Sequence, residues 1–272
     1  MMILNNDNYF SKAANQKYMS VSQYKNWVGT LKEMGCEART LAEINEEWVR
    51  DKTDALLMGS YLDAYFEGSL EKFKQENPSI FNSKIKGEPV LKKAYENINE
   101  VIKRIERDKY FMSTMAGEKQ VIMTANMFGC DWKIKMDSYI PGKAIVDLKY
   151  MESLRKRFYH RELNGYVSFI EEYGYDIQGA IYQEVVYRNT GKRLPFFISA
   201  VSKEKEPDME VIWIPDDILK QRLEEVKENM PSVLAVKNGQ AKPQRCECCN
   251  YCRHTKVLTK AIHFSELFGE ID

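Results

Sequence analysis

The chain carries no excess charge of either sign: 40 Lys and Arg stand against 40 Asp and Glu, for a net charge of zero. That balance excludes a protein that coats polyanions wholesale and leaves nucleic-acid binding to a local basic groove. No stretch approaches the ~18 apolar residues of a membrane helix. Met1 to Phe10 lacks a basic stretch followed by an apolar one, so no signal peptide is read and the cytoplasm is the expected compartment. Internal repeats, low-complexity segments and long linkers are missing as well. Cysteine is scarce outside one place. Cys36 and Cys130 stand alone, while Cys246, Cys248, Cys249 and Cys252 crowd together. In a chain without a secretory signal, such a cluster reads as metal ligation before it reads as disulfides.

What is present is globular. Aromatic residues at 12% exclude a disordered chain, and 272 residues are enough to bury a sizeable core. Apolar spacing predicts helices from Ser20 to about Met34, over 37–50, over 53–75 up to Asn77-Pro78, and from Gly87 to Arg107. The period then changes. Lys119–Met127, Asp131–Tyr139 and Ala144–Tyr150 read as a three-strand antiparallel meander, with Trp132, Ile134 and Met136 on one face of the second strand. Helices are expected over 152–172 and 176–188, strands over 194–202 and 209–214, and a last helix from Pro215 to about Lys237. The expected class is α/β: a central mixed sheet flanked by helices with a helical N-terminal part, as one domain. Within 1–272, residues 18–110 form the helical part, 115–240 the core and 245–253 the cysteine cluster.

The segment richest in chemistry runs from Lys135 to Lys149. A hairpin around Ile140-Pro-Gly-Lys143 sets Asp137 at the end of one strand and Asp147 on the next. Period two puts Asp147 and Lys149 on one face, with Leu148 pointing away. Two carboxylates there can share a hard cation such as Mg²⁺ or Mn²⁺, with a lysine beside them. A cation so held polarises a phosphate and activates water, and the lysine orients that water or neutralises charge on phosphorus. Acid-x-Lys by itself is weak, since Asp131-Trp-Lys133 and Glu225-Val-Lys227 match it too. Asp147 differs because it follows Ala-Ile-Val on an apolar strand, where a charge is costly unless paired or metal-bound.

Asp137-x9-Asp147-x-Lys149 resembles the core of the PD-(D/E)XK nuclease superfamily. The chain from about 18 to 255 is similar to its RecB/RecE-like branch, most nearly to phage and prophage exodeoxyribonuclease VIII-like exonucleases. Further motifs fall in order: Ser20-Val-Ser22 with Cys36 downstream, Met58-Gly59-Ser-Tyr-Leu-Asp63, Gln178-Gly-Ala-Ile-Tyr182, and Cys246 to Cys252. Two departures stand out. Met136 precedes Asp137 where proline is usual, and Asp63 stands where the branch has histidine. The resemblance implies metal ligation by Asp63, Asp137, Asp147 and the Leu148 carbonyl, a catalytic Lys149, and Gln178 and Tyr182 arranging the site. It implies a metal-dependent exonuclease acting on ends of linear double-stranded DNA in phage-type recombination, with a single-strand annealing protein as partner. The rival reading is a catalytically inactive nuclease-fold module that binds DNA or a partner. Oligomeric state stays open.

Cys246, Cys249 and Cys252 make a Cys-x-x-Cys-x-x-Cys run, one ligand short of four. By resemblance Cys36 completes the set around a 4Fe–4S cluster. Zinc is the alternative, with Cys248 or His254 as a further ligand, and so are reduced thiols without metal. Past the proposed metal site lies a basic run with Arg155, Lys156 and Arg157, placed by periodicity on a helix and suited to phosphate contacts. Tyr150, Phe158 and Tyr159 beside it are candidates for stacking on a terminal base.

Overall fold

The fold is given by a computed structural model that describes residues 2–82 and 90–265. Helices come first: α1 (Lys12–Lys17), α2 (Val21–Val28), α3 (Glu37–Ile44), α4 (Asp54–Glu67) and α5 (Leu70–Glu76). A short ribbon, β1 (Phe81–Asn82) with β2 (Val90–Leu91), leads to α6 (Asn97–Glu106) and α7 (Lys109–Thr114). Then follow β3 (Val121–Met127), β4 (Cys130–Met136), β5 (Ser138–Ile140), β6 (Ala144–Met151), β7 (Phe158–His160) and β8 (Gly165–Val167). The chain continues with α8 (Phe169–Glu172), α9 (Tyr175–Thr190), β9 (Phe196–Ser202), β10 (Met209–Trp213), α10 (Asp216–Lys237) and α11 (Asn250–His254).

The central sheet has the order β10-β9-β6-β5. Strand β6 runs parallel to β9, with Asp147 opposite Ile198, while β5–β6 and β9–β10 are antiparallel. The α/β class with a mixed sheet is therefore as the sequence indicates. A parallel pair needs a long crossover, and here α9 makes it. Alternation along β6 and β9 divides two cores. Ile145, Met151, Phe196, Ile198 and Ala200 face α9 and α10, whereas Val146, Leu148 and Val201 face α4, α6 and α7. The ribbon β3–β4 buries Trp132, Ile134 and Met136 in the first of these cores, on the face that the alternation predicts.

Several expected elements are redrawn. The helix over 152–172 is absent: β7 and β8 form a hairpin there, and only α8 is helical. The reason is local. Asn164 takes φ 46° just before Gly165, which makes a turn, and Tyr159 and Tyr166 pack edge to face across the strands at 5.2 Å. The basic run consequently lies in the loop before a strand rather than on a helix. The meander is broken at Asp137: β6 pairs with β5 and β9, not with β4. The helix expected over 53–75 is two, because Gly68 at φ 79° closes α4 with a left-handed cap. The predicted helices from Ser20 to Met34 and over 37–50 stop at Val28 and Ile44. Val90 and Leu91 are extended, so the helix expected from Gly87 starts at Asn97; Gly87 itself lies outside the described residues.

Candidate active site

Strand β6 places Asp147 and Lys149 two residues apart, so both project to the α9 face, as period two requires. Asp147 is only 3% exposed. Lys149 Nζ makes an ion pair with Asp147 Oδ2 and lies 4.9 Å from the centre of the Tyr175 ring. Asp137 sits at the break between β4 and β5, and its Oδ2 accepts the Leu148 N–H at 2.9 Å. From α9, Gln178 Nε2 donates to Asp147 Oδ1 at 2.6 Å, and one turn later Tyr182 donates its hydroxyl to the Lys135 carbonyl at 2.9 Å. Helix α4, capped by Thr53, brings in Asp63. Asp63, Asp137, Asp147, Leu148, Lys149, Gln178 and Tyr182 all line one cleft of about 750 Å³.

Burial and crowding govern the charges. Burial and then the neighbouring Asp147 push the Asp137 carboxyl up to about 7. Asp63 is raised well above the usual carboxylate range by burial, with Asp137, Asp147 and Glu67 adding to it. Burial pulls the Lys149 ammonium down, but Asp147, Tyr175 and Asp137 outweigh it and hold it above the ordinary lysine range. Asp63, Asp137 and Asp147 thus share one cleft with Lys149, which is ion-paired to Asp147. Carboxylate oxygens gathered in one cleft are the donor set a hard divalent ion takes, so the residues fit Mg²⁺ or Mn²⁺.

Other residues reach the cleft without having been singled out from the sequence. Glu67 lies one turn after Asp63 on α4 and accepts a hydrogen bond from Gln120 Nε2; both line the cleft. The spacing Asp63-x3-Glu67 was the available signal, since i and i+4 share a helix face. Phe10, Lys72 and Lys135 are there too. Nothing in local periodicity marks Phe10 or Lys72, which reach the cleft only through the packing of distant segments.

Arg155, Lys156 and Arg157 are not brought into the cleft. Arg155 pairs with Asp208 at 3.1 Å and with Glu210, Lys156 pairs with Glu152 at 2.9 Å, and Arg157 is exposed. The loop course of the chain before β7 carries all three away from the carboxylates.

A second constellation lies at the far end of the chain. Cys36, Cys246, Cys249 and Cys252 bring their sulfur atoms within 4.8 Å of one another. Three separations are 3.6, 3.8 and 3.9 Å. Backbone N–H groups of Arg39, Cys249 and Cys252 point at Cys36, Cys246 and Cys249, as suits thiolates. Cys248 is exposed and outside the set, and His254 packs against Trp48 instead. Four thiolates suit zinc or an iron–sulfur cluster. A tetrahedral ion with Zn–S bonds of about 2.3 Å sets its sulfurs about 3.8 Å apart. Three of the six sulfur pairs stand near that spacing, and the set offers four thiolates to either group.

Residues 20–255 match the model of a family described as a PDDEXK-like domain of unknown function (DUF3799). The chain belongs to this PDDEXK-like family. A crystal structure of a protein from Eubacterium rectale, named as a candidate exonuclease, is 50% identical and superposes with a TM-score of 0.96 over 100% of both chains. SSO0001 is a remote neighbour at 13% identity and a TM-score of 0.30, over 74% of this chain and 88% of that one. No curated protein matches. The PD-(D/E)XK core, with its mixed sheet and flanking helices, is thus both the fold and the family of this chain. Asp137, Asp147 and Lys149, the residues on which the sequence resemblance rests, all line a single cleft.

Proposed function

We propose that this PDDEXK-like protein is a metal-dependent DNA nuclease that hydrolyses phosphodiester bonds at the ends of linear duplexes. The observation that carries the reading is the convergence of Asp63, Asp137, Asp147, Lys149 and Gln178 on one cleft from α4, the β4–β5 break, β6 and α9. Asp63, Asp137, Asp147 and the Leu148 carbonyl would hold a divalent cation. Such a cation, when bound, polarises the phosphate and makes water nucleophilic at neutral pH. Lys149, kept charged by its acidic neighbours, offsets negative charge growing on the phosphate oxygens. Gln178 fixes the Asp147 carboxylate through Oδ1, and Tyr182 fixes the end of β4 through the Lys135 carbonyl. The resemblance to RecE-like exonucleases supports a role in phage-type recombination beside a single-strand annealing protein. For the cysteine set we favour one tetrahedral zinc that pins the C-terminal segment to α3, a structural role.

The test is digestion of an end-labelled linear duplex and a closed circle, with Mg²⁺ or Mn²⁺ and with a chelator, using wild type and Lys149→Ala. The expected result is metal-dependent loss of label from the linear duplex in wild type, a fall of at least ~100-fold in Lys149→Ala, and an intact circle. DNA bound but uncut under every metal would leave a non-catalytic binding module as the reading.

A further inference from the structure

Residues 2–18 precede the part of the chain that matches the family, yet they build one wall of the cleft. The segment is firmly seated. Tyr9 is 6% exposed, its hydroxyl reaches the Lys133 carbonyl at 3.4 Å, and the buried Lys133 ammonium donates back to the Tyr9 carbonyl and to Asn15 Oδ1. Tyr18 donates to the Met2 carbonyl at 3.0 Å, which closes the segment on itself. With Tyr9 anchored inward, its neighbour Phe10 turns outward and is 69% exposed. Its ring lines the same cleft as Asp137, Asp147 and Lys149, and Lys135 Nζ lies 5.2 Å from its centre. Opposite stand Lys72, Phe73 and Glu76 of α5, and the two walls meet where Lys72 comes within 3.6 Å of Asp7.

A phenylalanine this exposed adds little to the core. An aromatic face beside a lysine that has no acid partner among the described residues, at the edge of a carboxylate cleft, is the pairing that holds one nucleotide of a single strand: the base stacks on the ring and the phosphate meets the ammonium. Resting on the nuclease reading above, we propose that Phe10 is the stacking platform for a base of the strand that enters the cleft, with Lys135 on the adjoining phosphate. The substrate that reaches the carboxylates is then an unpaired strand. Two smaller cavities continue past Phe10, of about 190 and 180 Å³, and share Tyr9, Ser20, Ser22 and Lys133 in their linings. They provide room for the strand beyond the stacked base.

The test measures binding of single-stranded oligonucleotides in Ca²⁺ and steady-state cleavage in Mg²⁺, for wild type, Phe10→Ala and Phe10→Trp. A substrate series carries one abasic nucleotide moved stepwise from the end. Phe10→Ala is expected to weaken binding and raise KM by about tenfold, and Phe10→Trp to restore both. At one position the abasic nucleotide should weaken wild type by a similar factor and Phe10→Ala no further, the non-additivity expected of groups in contact. Wild-type affinity in Phe10→Ala, or losses that add at every position, would overturn the proposal. Wild type that binds DNA yet never cuts it would sink the nuclease reading and leave the stacking test readable by binding. Wild type with no affinity for DNA would sink both.

Discussion

Gln178 shows how one uncharged side chain governs a charged site. Its amide nitrogen donates to Asp147 Oδ1 at 2.6 Å, so one carboxylate oxygen is fixed while the other meets Lys149. Gln178→Ala removes the donor and frees the carboxylate to rotate. Cleavage is expected to fall by about tenfold or more, the scale of a lost charge-assisted hydrogen bond. Gln178→Glu should be worse, because it sets a further acid against Asp147 where Asp63 and Asp137 already crowd it. Initial rates, with circular dichroism to confirm folding, check both. Lys135 and Arg155 differ in the same terms. Lys135 lines the cleft, whereas Arg155 is occupied by Asp208 and Glu210. Lys135→Gln is expected to weaken DNA binding severalfold and Arg155→Gln by less than about twofold, since an exposed paired arginine has little free charge to offer. Fluorescence anisotropy with a labelled oligonucleotide separates the two.

At the scale of elements, α9 must approach the sheet closely to deliver Gln178 and Tyr182. Gly179 allows it: a Cβ there would come within 2.7 Å of Phe196 and 2.9 Å of Leu219, both deeply buried. Gly179→Ala should therefore destabilise by about 1–3 kcal/mol despite the better helix propensity of alanine. A Tm lowered by several degrees, with a parallel loss of activity from the shifted Gln178, is the expected outcome. The staple between α3 and α11 makes a second element-scale prediction. Purified protein should contain one zinc per chain and no iron by elemental analysis, also when prepared without oxygen. Cys252→Ser should lose the metal and lower Tm by about 5 °C or more, because the ion binds only the folded state. Cys248→Ser should keep it, since that thiol lies outside the set. Four irons per chain with visible absorbance would restore the iron–sulfur reading.

For the molecule as a whole, the net charge of zero means that DNA is not drawn to the surface at large. At the cleft Lys135 is the lysine without an acid partner among the described residues, since Lys72 is paired to Asp7 and Lys149 to Asp147. A single strand held by about one or two such contacts should give a slope of log K against log salt near −1. A slope several times steeper would mean that a wider surface binds. Titration between low and moderate salt measures it. The two cores on either face of the central sheet share β6, the strand that carries Asp147 and Lys149, so the site is set on the best-packed part of the protein rather than on a loop. That placement holds Asp147 and Lys149 rigidly in the cleft.

Several features could be read from residues alone because their physics is local. The alternation Trp132, Ile134, Met136 marked a buried face, and period two put Asp147 and Lys149 together. The spacing Gln178-x3-Tyr182 defined one face of a helix, and the Cys-x-x-Cys-x-x-Cys run gathered three thiols. Local signals failed where a turn or a partner strand overrode propensity. Asn164-Gly165 turned an expected helix into a hairpin, Gly68 cut another in two, and the pairing of β6 with β9 could not be seen in a chain where 45 or more residues separate them. Resemblance had already named Asp63, Asp137 and Asp147 together and Cys36 with the C-terminal thiols; only the tertiary structure decided that Glu67 joins the cleft, that Arg155 is spent on Asp208 and Glu210, and that Phe10 stands at the cleft. The reason is one of range. A helix or strand fixes neighbours within a few residues, while burial of the two cores fixes where whole elements lie, and the site is made of side chains drawn from elements far apart in the chain.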